Sequence, residues 1–256
     1  MLEMIVMVIQ APEISATRIL LSVASPQLLP AATAFVTTTV GEGADIQIVE
    51  PDELAELSGA AKHERPAMIV IVGYPGDDAV CEAVLDPAGI ALRTLVPVMF
   101  FRGADGDPVS WSTTKRILVP LDGSSQSAQV LSVAARIART TGVPVHLVMV
   151  IDPSRVLPPA YAYDPDPWEV IAGLRESAHW ALRQAEEPLM REGLPVESSL
   201  LYGPVSTVLQ STLTPGDMVI MTIRGTGMAL CNANSVARRV LAAATGPVII
   251  HPERSW

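Results

Sequence analysis

Two stretches about 100 residues apart constrain this chain more than anything else in it. The first, Arg116-Ile-Leu-Val-Pro-Leu-Asp122-Gly123-Ser124-Ser125, is an apolar run closed by an acid and a small-residue turn, and a helical stretch from Gln126 to Thr140 follows it. The second, Asp217-Met-Val-Ile-Met-Thr222-Ile-Arg224-Gly225-Thr226-Gly227, is an apolar run that ends in another small-residue loop. Asn234-Ser235-Val236 then opens a further helix. Strand ends that run into small loops and helix starts are how a parallel α/β sheet builds an anion cradle at its carboxyl edge. Nucleotide binding is therefore the function to decide.

Composition narrows the alternatives. The chain has 256 residues, enough for one large or two small domains. Its hydrophobic content of 49% with only 4% aromatics predicts a core of Val, Ile, Leu, Ala and Met. A net charge of −10 argues against non-specific nucleic-acid binding, which needs a basic footprint. It leaves a nucleotide site open, because local amides and one or two Arg can hold phosphate against an unfavourable global field. No apolar run is long enough for a transmembrane helix. The start, Met1 to Gln10, lacks a basic region and reads as a strand rather than a signal peptide. Two cysteines, Cys81 and Cys231, supply neither a disulfide framework nor a metal cluster, and the expectation is a cytoplasmic protein with reduced thiols.

The chain repeats itself. Met68-Ile-Val-Ile-Val72 matches Met218-Val-Ile-Met-Thr222, and Val96-Pro97-Val98-Met99 matches Gly246-Pro247-Val248-Ile249, both at an offset of 218 − 68 = 247 − 97 = 150. Repeated spacing is a stronger signal than either match alone. The opening strands Arg18–Ser22 and Arg116–Pro120 match at an offset of 116 − 18 = 98, so the first half is 150 − 98 = 52 residues shorter inside. The difference corresponds to a long helix and a strand present only in the second half. The polar Gly/Pro stretch 102–110 reads as the linker, giving domains at 1–103 and 114–256.

In the second half, strands are expected at 117–121, 145–151, 196–201, 218–222 and 248–251. Helices are expected at 127–141, 168–192 with Pro188 bending or interrupting it, 204–213 and 235–244. Residues 153–167 are read as a Pro-rich loop, either a lid or partner-binding segment or a plain connection. The first half reads as strands at 18–23, 45–49, 67–72 and 97–101 and helices at 27–41, 52–62 and 78–94, with Met4–Ile9 adding an edge strand. Strands alternating with helices predict a parallel sheet with right-handed crossovers.

On these residues the second half resembles a universal stress protein domain along nearly its whole length, about 114–252. The features that carry the likeness are Pro120-Leu121-Asp122-Gly123-Ser124, Val150-Ile151-Asp152-Pro153, and the block from Asp217 to Ile250. The whole chain resembles a tandem member with a shortened, degenerate first domain. The resemblance implies two adenine-nucleotide α-hydrolase-like, Rossmann-like domains, each an open parallel sheet flanked by helices, in a pseudo-twofold tandem. It implies ATP, with or without Mg, as the ligand. Asp122, beside Pro120 and Leu121, would approach the ribose or a metal, and Val150 would contact adenine. The loop Thr222, Arg224, Gly225 and Gly227 and the turn Asn234, Ser235, Val236 would hold phosphates. Family members commonly dimerise through the last strand. The two halves are thus expected to imitate that dimer internally, with Phe100 and Phe101 against Ile249 and Ile250 as the seam, or facing each half's own core. Further self-association and an unknown protein partner are left open.

The chain departs from the family's Gly-x-x-Gly, nine residues, Gly-Ser/Thr pattern. Its first glycine is Thr222, eight residues follow Gly225 instead of nine, and Asn234 stands before Ser235. A Cβ at Thr222 occupies a place where phosphate would approach backbone, whereas Asn tolerates the left-handed turn. In the first half the acid is gone, and Gly73-Tyr74-Pro75-Gly76-Asp77-Asp78 puts two carboxylates where phosphate would sit. Its role is read as structural. Scattered His63, His146, His179 and His251 are assigned to packing, and Ser124, Ser125 and Ser127 to capping rather than nucleophilic catalysis. The chain lacks pyrophosphatase and nucleotidyl-transfer motifs, so no enzyme is expected beyond slow ATP hydrolysis. Two readings remain: a nucleotide-binding stress or signalling protein with its one site within 120–236, and a non-nucleotide interaction module with a degraded site.

Overall fold

The computed structural model describes residues 18–23, 26–50, 66–72, 87–101, 114–156, 167–223 and 236–253. Among them are the strands β1 (Arg18–Val23), β2 (Asp45–Ile48), β3 (Met68–Val72), β4 (Val98–Phe101), β5 (Arg116–Leu121), β6 (Val145–Ile151), β7 (Val196–Tyr202), β8 (Asp217–Ile223) and β9 (Val248–Pro252). They form one sheet in the order β2-β1-β3-β4-β9-β8-β5-β6-β7. Every neighbouring pair is parallel except β4 and β9, which run antiparallel. Reading outward from that seam, β4-β3-β1-β2 and β9-β8-β5-β6 follow the same order, and β7 is an addition beyond β6. This is the mostly parallel, helix-flanked open sheet expected from the alternating pattern.

The strands are apolar because both of their faces are covered. All five residues of β3 and all four of β4 are buried. Alternate residues feed two cores. Ile117, Val119, Met218 and Ile220 meet the helices α1 (Leu29–Val40), α3 (Leu131–Thr141) and α5 (Pro167–Arg191) on one face. Leu118, Val219, Met221 and Ile223 meet α2 (Pro87–Thr94), α6 (Val205–Thr212) and α7 (Val236–Ala243) on the other. Edge strands β2 and β7 keep exposed positions, as one-sided pairing allows.

Several boundaries differ from the sequence expectation. Residues 153–167 are not wholly irregular: Pro153–Val156 forms one helical turn, α4, and Pro167 opens α5. Proline suits a first helical position, where its missing N–H has no partner to lose. Pro188 neither ends nor interrupts α5, which continues to Arg191. It lies on the exposed side, so the carbonyl it leaves can be satisfied by water. The helix expected at 127–141 starts as a 3-10 turn, Ser127–Val130, before α3. The seam also differs in register. Val98, Met99 and Phe100 pair with Ile250, Ile249 and Val248, so Phe101 is outside it. Phe101 instead meets Phe35 of α1 edge-on, with ring centroids 4.7 Å apart. The strand expected at Met4–Ile9, the helix at 52–62, the first part of that at 78–94 and the linker at 102–110 lie outside the described residues.

Candidate functional site

The direction of the chain places a crevice at the carboxyl ends of β5 and β8. After β5 the chain moves to β6 on one side, and from β7 it returns through α6 to β8 on the other. Ligands of open α/β sheets enter at such a switch point. Here the crevice is widened by the ladder itself. Pairing of β5 with β8 stops at Leu118↔Val219, whereas its pairing with β6 continues to Leu121↔Met149. Pro120 has no amide N–H with which to extend a ladder. The cleft, about 1500 Å³, straddles the carboxyl rim of the sheet: Leu121 with Leu174, Ala178 and Ala181 of α5 line it on one face, and Val150, Met221 and Ile223 with Val205 and Leu209 of α6 and Val236 and Ala237 of α7 line it on the other. It runs on round α5 to Glu176, Trp180 and Arg183, which helical spacing puts on the face away from the sheet.

Pro120, Leu121, Asp122, Val150, Thr222 and Val236 all line this one cleft. Arg224, Gly225, Gly227, Asn234 and Ser235 lie outside the described residues. The end of β8 touches the turn after β5: the Thr222 hydroxyl donates to the carbonyl oxygen of Gln126 at 3.3 Å.

That turn is closed by its own side chains. Gly123 sits at φ +80°, a backbone region open to glycine at little cost. Asp122 Oδ1 accepts from the Ser124 amide at 3.0 Å and the Ser124 hydroxyl at 2.6 Å. The Ser127 amide donates to Ser124 Oγ at 3.0 Å, and the Asp122 amide to Ser127 Oγ at 3.3 Å. The amides of Ala128 and Gln129 donate to the carbonyls of Ser124 and Gln126. The neighbouring strand ends the same way. Asp152 Oδ1 accepts from the Ser154 amide at 3.1 Å and its hydroxyl at 2.6 Å, and Asp152 also lines the cleft. Asp152 was not among the expected site residues. Its signal is a second Asp-x-Ser at a strand end, Asp152-Pro-Ser154 after Asp122-Gly-Ser124.

A second polar group lies at the opposite, amino-terminal edge of the same strands. Arg116 forms a two-pronged pair with buried Asp217, Nε to Oδ1 at 3.0 Å and an amino group to Oδ2 at 2.6 Å. Its other amino group reaches His146 Nδ1 at 2.9 Å, and His146 Nε2 lies 2.9 Å from Ser199 Oγ. A guanidinium only donates, so Nδ1 accepts and the ring proton is on Nε2, facing Ser199. The Asp217 hydrogen bond pushes the Arg116 pKa up. Burial first, and then the Arg116 charge, push that of His146 down. The Ser199–His146 pair has the spacing of a nucleophile and its base, but this tautomer cannot take the serine proton. The group ties four strands together. Among the described residues no cluster of His, Cys, Asp and Glu has metal-ligand geometry, and no helix is long and apolar enough to cross a membrane.

Comparisons with known proteins agree with this architecture. The model of the universal stress protein family matches residues 113–252. A universal stress protein of Methanocaldococcus jannaschii is 28% identical over 141 residues, covering 53% of this chain and 81% of that protein. The solved structure of a universal stress protein from Archaeoglobus fulgidus superposes with a TM-score of 0.53 at 18% identity, over 82% of this chain and 70% of that one. A functionally unknown protein from Pseudomonas aeruginosa superposes with a TM-score of 0.61 at 16% identity, over 93% of both chains. At such identities the two structures share the fold.

Proposed function

We propose that this chain, which belongs to the universal stress protein family, is a cytoplasmic nucleotide-binding stress-response protein holding an adenine nucleotide in the cleft between β5 and β8. The observation that carries the reading is convergence: Asp122, Val150, Thr222 and Val236, read separately in the sequence, line one cleft at the switch point. The apolar wall that Val150 shares with Met221 and Ile223 suits a planar base, and Asp122 at the rim suits ribose hydroxyls. The resemblance to nucleotide-binding members of the family implies ATP, with or without Mg, as the ligand, and the phosphates are assigned to the segment containing Arg224, Gly225, Gly227, Asn234 and Ser235. The chain acts as a binder, and occupancy changes a surface that a protein partner reads. Its two domains, 1–103 and 114–256, form an internal pair across β4 and β9, and only the second carries a site.

The second reading, an interaction scaffold with no ligand, is favoured by Thr222, whose side chain stands at the crevice and is tied to Gln126. Calorimetric titration of the purified chain with adenine nucleotides and magnesium separates the two. Binding is expected, weakened by about 1–3 kcal/mol in Asp122→Ala and in Ser235→Ala if these groups hydrogen-bond the ligand. Absence of heat with every adenine nucleotide selects the scaffold.

A further inference from the structure

We infer that Asp152 reads the base: one oxygen of its carboxylate accepts the 6-amino group of adenine, so that the cleft prefers 6-aminopurine nucleotides to 6-oxopurine ones. The inference rests on the nucleotide reading and names the residue that selects within it. Position is the first argument. Asp152 follows Val150 by two residues, the spacing that puts two side chains on one face of a strand. Both line the cleft, and Val150 packs there in the same apolar cluster as Met221 and Ile223, the wall proposed for the base. Asp122 closes β5, the neighbour of β6, and lines the cleft as well. The two strand ends thus offer one acid for the ribose and another for the base.

The second argument is how the carboxylate is held. Its Oδ1 accepts from the Ser154 amide at 3.1 Å and the Ser154 hydroxyl at 2.6 Å, which fixes the side chain before any ligand arrives. No hydrogen bond from any described residue reaches the other oxygen, Oδ2. Asp152 is half-buried, so a ligand that covers it must supply a donor to that oxygen or leave it unsatisfied. An ionised carboxylate only accepts. The 6-amino group of adenine donates to it, whereas the 6-carbonyl of hypoxanthine sets acceptor against acceptor. A site built to bond one polar group rejects the analogue that lacks it far more strongly than an apolar wall could.

The test is titration calorimetry of the full chain with Mg-ATP and with the magnesium salt of inosine triphosphate. The two ligands differ only in the base, so whatever holds the phosphates cancels. ATP is expected to bind about 10-fold tighter or more. Asp152→Asn keeps an oxygen for the Ser154 turn and puts an amide N–H in the place of Oδ2, a donor where an acceptor stood. It is expected to raise the affinity for inosine triphosphate relative to ATP by about 10-fold. If Asp152 served only the turn, the variant would change both affinities by the same factor. Equal affinities in the native chain overturn the inference and leave the nucleotide reading intact. An unchanged ratio in Asp152→Asn also overturns it. No heat from either ligand in the native chain removes the nucleotide reading and this inference together.

Discussion

His146 lies in β6 between two strands and joins them through both of its ring nitrogens. Its ring bridges Arg116 on β5 and Ser199 on β7, and its charged neighbours are Arg116, Glu197 of β7 and Asp217 of β8. The sequence placed it in a strand and gave no sign of the bridge, because Arg116 and Ser199 come near only when β5, β6 and β7 pair. Asp122, by contrast, was readable, since an acid directly after an apolar run must lie at a strand's rim. Thr222 was readable in place but not in role: its tie to Gln126 depends on a turn 96 residues away. The bridge makes stability depend on pH with a definite sign. The folded pKa of His146 lies below its ordinary value of about 6.5, so between the two the unfolded chain binds more protons. This contribution is complete above about pH 6.5 and is lost as pH falls towards the folded value. Urea midpoints measured from pH 8 to 5 are expected to fall more steeply for the native chain than for His146→Gln, which can accept from Arg116 and donate to Ser199 without titrating. Equal slopes would show that the ring does not titrate in this way.

The sequence identified elements well wherever burial on both faces wrote a continuous apolar run, as in β3, β4, β5 and β8. It was weaker where local capping decides, as at Pro153–Val156, where Asp152 closes a turn that proline content alone does not announce. The junction between α7 and β9 also depends on close approach rather than pattern. An added Cβ at Gly246 would lie 2.2 Å from the backbone oxygen of Asp217, too close for any real contact. The neighbouring Pro247 carbonyl receives the Val219 amide at 2.9 Å, so the loop cannot retreat without losing ladder pairing between β8 and β9. Gly246→Ala is therefore expected to cost about 2–4 kcal/mol, with the midpoint in chemical denaturation as the measurement. Val40→Ala, at the half-buried end of α1, serves as a milder comparison. If the glycine variant is no worse than that control, the close approach is not a constraint.

For the whole molecule, the repeat at an offset of 150 announced two similar sections, but the register of their joining strands was beyond sequence. Both joining strands are apolar along nearly their whole length, so registers two residues apart would bury the same faces, and the pattern of residues does not choose among them. The joined sheet makes the two cores continuous: Ile19, Met68 and Met99 share one cluster with Ile117 and Ile249, and Ile69 and Val98 share the other with Val219 and Ile250. Continuous cores predict one cooperative unfolding transition. The four tryptophans, at positions 111, 168, 180 and 256, all follow the first section. Their fluorescence therefore reports only the later part of the chain, whereas far-ultraviolet circular dichroism reports both. In the native chain the two signals are expected to change together. Met99→Pro removes a ladder N–H from a central strand of the sheet and should cost about 3 kcal/mol or more in the first section. If the β5–β9 section folds by itself, dichroism in this variant should lose amplitude first, while the tryptophan transition stays near its native midpoint. If both signals move together to lower denaturant, the later section depends on the seam for its own stability, and the first section is a support for the candidate site rather than a separable partner.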